Sequence, residues 1–133
     1  MERRRAAGVQ ADERDSVQED PYCAGQQKGK AFIMAKYMII GLNGPVAGEG
    51  NEEAYNRWYD DVHIPDLKAV AGVVSARRFK TMQPDAKWPY AAVYEIETDD
   101  LQATMKGMSS VRPMDPSFDR ANSSNIMLVQ ISE

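Results

Sequence analysis

Apolar and polar positions along the chain alternate with two different periods. Apolar residues spaced three and four apart predict two helices, one over Asn51–Ala69 and a shorter one that begins at Leu101. Runs with a period of two, rich in β-branched and aromatic residues, predict strands at Lys36–Leu42, Val73–Met82, Trp88–Glu97 and Asn125–Ser132. The predicted order is therefore strand, helix, strand, strand, helix, strand.

This order predicts an α+β domain of ferredoxin-like βαββαβ topology, in which an antiparallel four-stranded sheet carries both helices on one face. The nearly continuous apolar character of the last strand predicts a place well inside the sheet. The other face of the sheet is expected to be left with a large apolar surface, since the strands carry Met38, Ile40, Val74, Tyr94, Ile96 and Leu128. A soluble monomer does not tolerate a large exposed apolar surface. The sequence therefore predicts a homodimer that packs two open sheet faces together.

The first predicted helix carries the chain's single histidine, His63, at the end of an aromatic stripe. Asn51 is the predicted N-cap of this helix. Pro65, two residues after His63, cannot donate a hydrogen bond back into the helix and predicts a bend. The stripe places large side chains on one helical face, at i, i+3, i+4 and i+7, and comprises Tyr55, Trp58, Tyr59 and Val62. A titratable imidazole beside a backbone irregularity is a candidate functional site.

The composition is that of a small acidic domain. A chain of 133 residues, 43% of them hydrophobic, suffices for one domain with a proper core. The net charge is −4 and Lys and Arg do not gather on one face, which argues against a nucleic-acid partner. One cysteine, Cys23, and one histidine exclude an intramolecular disulfide and a Cys/His zinc set, and no cofactor is expected. Apolar runs are far shorter than the roughly 20 residues of a membrane span, so we expect no membrane partner and a cytoplasmic location.

Residues 1–33 differ from the rest of the chain. They mix balanced charges with Gln and Gly and hold almost no large apolar residues before Phe32. Such a segment cannot bury enough surface to fold alone. We expect a disordered N-terminal extension ahead of a folded domain over residues 34–133. Met34 stands directly before the first strand, which favours it as the native start.

A polar connection runs from Ser109 to Ser124 and is interrupted by Pro113 and Pro116. Connections of this length are uncommon in compact domains and are frequently lids or linkers. The sequence leaves open whether this loop closes over a cavity.

The passage YNRWYDDVHIPDLKAVAGVVSARRF, residues 55–79, resembles the signature of EthD-like members of the dimeric α+β barrel superfamily. The resemblance rests on Trp-Tyr-x-x-x-His-x-Pro at a helix end, on the glycine and arginine-bearing strand that follow, and on the order of elements. It implies a dimeric α+β barrel. In cyclase-type members it further implies a pocket between helices and sheet, where histidine and tyrosine act as acid and base. Those members carry a second histidine on the sheet, which this chain lacks. The superfamily also spans isomerases, monooxygenases and proteins without known activity, so the resemblance narrows architecture more than reaction.

The candidate catalytic set comprises His63, Tyr59 and Asp60. An imidazole can take or give a proton near neutral pH, and a carboxylate that accepts its other N–H would fix its tautomer. Asp60, Asp61 and Asp66 are the candidates for that carboxylate. The alternative is that His63 caps the C-terminus of the helix, where the helix dipole stabilises an imidazolium.

Aromatic residues and one arginine are the candidates for substrate contact. Aromatic side chains line apolar pockets, but they also pack helices against sheets. Arg77 and Arg78 point to opposite faces of a strand, so only one can face a cavity. The alternative for them is a salt bridge to Glu95 or Glu97 across the hairpin. The candidate substrate-binding residues are Tyr55, Trp58, Tyr94 and Arg78.

Two functions from different classes fit these residues. The first is a cofactor-independent enzyme of cyclase, isomerase or lyase type, in which His63 moves a proton on a small, mostly apolar carbonyl or phenolic substrate. The second is a non-catalytic binding or accessory protein that holds a small apolar or aromatic molecule in the same cavity. A haem- or oxygen-using enzyme is a third, with His63 as an axial ligand, but no second feature supports it.

Overall fold

The computed structural model describes residues 34–133, and the predicted disordered extension over residues 1–33 lies outside the described residues. The described part contains no helix long and apolar enough to cross a membrane. The strands are β1 (Ala35–Asn43), β2 (Val73–Lys80), β3 (Tyr90–Thr98) and β4 (Ser124–Val129). The helices are α1 (Asn51–Trp58), α2 (Ile64–Lys68) and α3 (Leu101–Met108), with a π-helical segment at Tyr59–His63 and a 3-10 turn at Arg120–Asn122.

The strands form one antiparallel sheet in the order β2-β3-β1-β4, which confirms the predicted ferredoxin-like topology. The register places Ile39 of β1 opposite Tyr94 of β3 and Met127 of β4. Tyr94 and Ile96 are buried in the core beneath the helices, so their predicted place on the open face is wrong. Among residues 34–133, strand β4 pairs with β1 alone, so the prediction that the last strand lies well inside the sheet is wrong. Its apolar run has another origin: Met127 points towards the helix side, while Ile126 and Leu128 project from the opposite face.

One nearly continuous helix runs through α1, the π-helical segment and α2, because Pro65 is accommodated without a break. The N–H of Ile64 donates to the carbonyl of Tyr59, five residues earlier, which is the hydrogen bond of a π-turn. A proline has no N–H and crowds the carbonyl four residues before it, here that of Asp61. The wider π-turn relieves this crowding, and such turns are frequent at functional sites.

The N-cap of α1 differs from the predicted residue, whereas α3 has a regular side-chain N-cap. The N-cap of α1 is Gly50, at a φ of 84° that favours glycine, and not the predicted Asn51. Asn51 is the first helical residue, and its side chain donates to the carbonyl of Ala47 at 3.1 Å. At α3, the side chain of Asp100 accepts the N–H of Ala103 at 3.1 Å, as an N-cap does.

The core lies between the sheet and the helices, and Tyr55 is at its centre. This side chain is completely buried. Its ring contacts those of Tyr59, Tyr90 and Phe118 at centroid distances of 5.2, 5.3 and 6.3 Å. Aromatic side chains bury large apolar areas and gain further from tilted ring contacts. The aromatic stripe therefore packs the first helix against the sheet.

Candidate functional site

A cavity of about 650 Å³ lies between the helix-covered face of the sheet and the helical segment around His63. Its floor includes Ile39, Gly41 and Asn43 of β1. Pockets that hold small molecules measure about 300–1,000 Å³ and combine an apolar lining with a few polar groups. The apolar part here includes flexible side chains that adapt to shape, namely Met105, Met108, Met114 and Met127. The cavity therefore has the size and lining of a small-molecule site.

The loop over residues 109–124 forms one wall of this cavity. The sequence had left open whether this loop closes over a cavity. The loop contributes Ser109, Met114, Phe118, Arg120 and Ser123 to the lining. One end of the loop is held by Arg112, whose Nη2 and Nε donate to the carboxylate of Asp66 at 2.6 and 2.9 Å. The other end is held by a β-bridge between Pro45 and Phe118. The loop is thus fixed to both α2 and the end of β1.

His63 lines the cavity and is 6% exposed. Its ring stacks on Trp58 at 4.6 Å and meets the edge of Tyr59 at 5.1 Å. Burial lowers the pKa of His63 from 6.5 to about 4, and the charge of Asp66 opposes that shift. The imidazole is therefore neutral near pH 7, with one donor and one acceptor nitrogen.

The interpretation of His63 as a C-terminal helix cap is wrong. The helix continues past His63 to Lys68, and the lowered pKa argues against an imidazolium there. Within residues 34–133, the buried Nδ1 of His63 has no hydrogen-bond partner. A buried polar atom without a partner carries a cost that a ligand or a catalytic role can explain.

A directional chain of hydrogen bonds lies beside the imidazole. Tyr55 Oη donates to Asn43 Oδ1 at 2.5 Å, so the amide of Asn43 faces Tyr59 and donates to its hydroxyl at 3.1 Å. Burial raises the pKa of both Tyr59 and Tyr94, and the hydrogen bond between them raises the pKa of Tyr94 and lowers that of Tyr59. Tyr59 accepts the hydrogen bond from Asn43, so its own proton is not used in that bond and can be donated to Tyr94 or to an acceptor in the cavity.

Arg78 and Asp60 lie outside the cavity lining. The Arg78 guanidinium covers the ring of Tyr59 at 4.4 Å and binds Asp60 at 3.0 Å. The structure therefore does not place Asp60 to orient His63, because its carboxylate is committed to an arginine from β2. The carboxylate that acts on the pKa of His63 is Asp66, which the sequence also offered. Hydrogen bonds from Arg112 hold the pKa of Asp66 below its usual range and keep it anionic.

The sequence-predicted site residues separate into three groups. His63, Tyr59 and Tyr94 line the cavity. Tyr55 and Trp58 support them from the core, while Asp60 and Arg78 lie outside the lining. The alternative of a cross-strand salt bridge is confirmed for Arg77, which binds Glu95 at 3.3 Å.

Several lining residues were missed by the sequence reasoning. The period of two along β1 could have placed Gly41 and Asn43 on the inner face beside Ile39. No periodic signal marked Phe118 or Arg120, because they belong to an irregular loop.

The described residues offer no metal centre. Across residues 34–133, no three His, Cys, Asp or Glu side chains come together as ligands would. The polar groups of the lining are one imidazole, two phenols, two carboxamides, two serine hydroxyls and the guanidinium of Arg120. These groups can hydrogen-bond a ligand, and the imidazole can transfer a proton.

No protein-family model matches the chain. A protein of Stachybotrys chlorohalonatus (strain IBT 40285), named core atranone cluster (CAC) protein 1, is 30% identical over 74 residues. The match covers 56% of this chain and 32% of that protein, so it spans about a third of the length of the curated relative.

Two solved structures are similar in fold. A DABB family protein with a ferredoxin-like fold from Mesorhizobium loti superposes with a TM-score of 0.50 at 10% identity, covering 74% of this chain and 99% of that one. A monooxygenase from the gene ActVA-Orf6 of Streptomyces coelicolor, in complex with nanaomycin D, gives a TM-score of 0.40 at 12% identity, covering 75% and 90%. The first similarity supports the ferredoxin-like fold, and the second is too distant to add to it.

Proposed function

We propose that the protein is a cofactor-independent enzyme, an EthD-like member of the dimeric α+β barrel superfamily, that transfers a proton on a small, mostly apolar carbonyl or phenolic substrate. The observation that carries the proposal is a neutral imidazole, His63, in the wall of an apolar cavity beside Tyr59, a phenol with a proton to donate. A base next to a hydrogen-bond donor is what enolisation of a carbonyl compound requires. The similarity to a core atranone cluster protein supports small-molecule chemistry. For the location we propose the cytoplasm, because the chain holds a single cysteine and so no intramolecular disulfide.

The reaction begins at a carbon next to a carbonyl group. A nitrogen of His63 takes the proton, the C–H electrons form the enolate, and Tyr59 donates a hydrogen bond to the enolate oxygen. The imidazolium and the enolate carry opposite charges, which lowers the cost of creating either in a buried site. Asp66 further stabilises the imidazolium. Return of the proton to another carbon gives isomerisation, attack of the enolate on a second carbonyl gives cyclisation, and loss of a leaving group gives elimination.

Hydrogen exchange of a simple ketone tests this function without knowledge of the natural substrate. The probe is 2-tetralone, a small apolar ketone with acidic α hydrogens, incubated in D₂O with the full chain at neutral pH. We expect the protein to accelerate deuterium incorporation above the buffer rate by about 100-fold or more, the usual contribution of a positioned base. NMR follows the α hydrogens. Saturable binding of 2-tetralone without faster exchange would contradict the enzyme proposal.

The second candidate is a non-catalytic protein that holds a small apolar or aromatic molecule. The lowered pKa of His63 favours it, because a base with a pKa of about 4 is weak. The adaptable methionine lining also suits binding alone. Insensitivity to pH near neutrality does not separate the two candidates, since His63 does not titrate there in either. Deuterium exchange of 2-tetralone in the absence of a cofactor does separate them, because the enzyme accelerates it and a binding protein does not.

The open face of the sheet is the surface through which we propose that two copies pair. Four of its large apolar side chains have exposed fractions between 44% and 57%, namely Val74, Phe79, Ile126 and Leu128. Monomeric proteins rarely expose contiguous apolar patches of this kind. A symmetric pairing of two such faces buries them at once.

We expect Leu128→Glu to weaken this dimer by more than about 100-fold, because each copy would bury an unpaired carboxylate in the interface. Sedimentation velocity over a concentration series measures the change. Val46→Glu is the matched control, since Val46 is 38% exposed but lies in the connection between β1 and α1. A Leu128→Glu variant that sediments as the parent does would place the interface elsewhere.

A further inference from the structure

Gly41 lies in the middle of β1, on the helix-covered face, opposite Ala92 of β3 and Asn125 of β4. A glycine inside a strand weakens it, because the unfolded chain gains entropy and no side chain packs. The backbone does not demand glycine here, since the positive φ values among the described glycines belong to Gly48, Gly50 and Gly72. What Gly41 provides is a stretch of the cavity floor without a side chain, where neighbouring side chains come close to the strand.

Two carboxamides converge on that space. A Cβ placed on Gly41 would lie 3.2 Å from Asn125 Oδ1 and 3.6 Å from Asn43 Nδ2. Because Tyr55 occupies the oxygen of Asn43 and Tyr59 accepts one of its N–H groups, one N–H is left for the space above Gly41. No group among residues 34–133 hydrogen-bonds the side chain of Asn125. An acceptor and a donor thus face the same small volume.

We propose that Gly41, Asn43 and Asn125 form a subsite for the edge of a flat ligand that carries a hydroxyl group, as an enol or a phenol does. The hydroxyl donates to Asn125 Oδ1 and accepts from Asn43 Nδ2. The missing side chain at Gly41 lets the edge of the ring reach the strand. A methyl group would leave the remaining N–H of Asn43, which is 4% exposed, without an acceptor, and this is costly for a buried polar group. Asn125 is exposed, so its carboxamide adds a hydrogen bond to a hydroxyl ligand but pairs with water when no hydroxyl is present.

The subsite is connected to the candidate catalytic groups. Asn43 donates to Tyr59 as well, so a hydroxyl bound above Gly41 lies beside the Tyr59 phenol. Binding at this point sets which carbon of the ring system faces His63. The inference rests on the proposed function and narrows its substrate class to hydroxyl-bearing rings.

Two probes of nearly equal size, 2-naphthol and 2-methylnaphthalene, test the subsite by equilibrium dialysis with the full chain. We expect the parent to bind 2-naphthol about tenfold more tightly, the effect of one to two hydrogen bonds. Asn125→Leu should reduce this preference, since only the hydrogen bond from Asn43 remains, while binding 2-methylnaphthalene as the parent does. Asn122→Leu is the matched control, since Asn122 lies in the 3-10 turn outside the lining and should keep the preference.

Gly41→Ala provides an independent variant. Its added Cβ occupies the subsite and should weaken both probes by about tenfold, while the melting temperature stays or rises because alanine suits a strand better than glycine. Equal affinities of the two probes for the parent, an undiminished preference in Asn125→Leu, or unchanged binding in Gly41→Ala would each overturn the subsite but not the cavity as a binding site. Failure of both probes to bind the parent would overturn the subsite together with the proposed function.

Discussion

Replacing His63 with glutamine is expected to reduce the protein-catalysed deuterium exchange of 2-tetralone by about 100-fold. Glutamine fills much of the same space and keeps hydrogen-bonding groups, but it cannot take a proton from carbon. The effect lies at the low end of the usual range for general bases because burial lowers the pKa of His63 to about 4. Glutamine is preferable to alanine, which would leave a void beside Trp58 at a site that is 6% exposed.

The pH profile of the catalysed rate provides a second readout of the same base. His63 is active when it is neutral, so the rate should be constant from neutral pH downwards and fall as the pH passes through about 4. An unperturbed histidine would lose activity near pH 6.5. Arg57→Gln, on the exposed side of α1, is the control and should catalyse the exchange of 2-tetralone at the parent's rate at each pH. Full exchange activity in His63→Gln would remove the imidazole from the mechanism.

Replacing Tyr55 with alanine is expected to lower the free energy of unfolding by about 3–5 kcal/mol, the usual cost of deleting a buried aromatic ring. The side chain is fully buried, and its ring contacts Tyr59, Tyr90 and Phe118 from both helix and sheet sides. Neighbours held in this way cannot collapse into the void. Urea denaturation followed by tryptophan fluorescence measures the change.

Tyr55→Phe separates packing from hydrogen bonding at the same position. It keeps the ring but removes the hydroxyl that donates to Asn43, and should cost about 1–3 kcal/mol because the oxygen of a buried amide is left unpaired. Released from Tyr55, the Asn43 amide can rotate, so the preference for 2-naphthol should fall as well. A loss below about 1 kcal/mol in Tyr55→Ala would contradict the central place of this ring in the core.

The first helix shows how far sequence reasoning extends. Spacing alone placed Tyr59 and His63 on one face and predicted a backbone irregularity at Pro65, because both follow from residues within one or two helical turns. The partner of Asp60 could not be derived in this way. It is Arg78 on β2, 18 residues away along the chain, and no local pattern records which strand lies beneath a helix.

The charge state of His63 shows the same division. Its unperturbed pKa suits either a helix cap or a proton-transfer group, and the sequence could not choose between them. The choice follows from burial against Trp58 and Tyr59, which lowers the pKa, and from the π-turn, which carries the helix past His63. Both are consequences of packing between distant segments.

The sequence by itself determined the class of the fold and the order of its elements, because hydrophobic periodicity is a local property that each element carries. The tertiary structure alone decided that β4 is an edge strand, that Asp66 rather than Asp60 acts on His63, and that Gly41, Asn43 and Asn125 surround one space. The physical reason is that hydrogen-bond partners, cavities and pKa shifts depend on which segments meet. Those contacts between segments are set by the packing of the whole chain, and no single stretch of the sequence determines them.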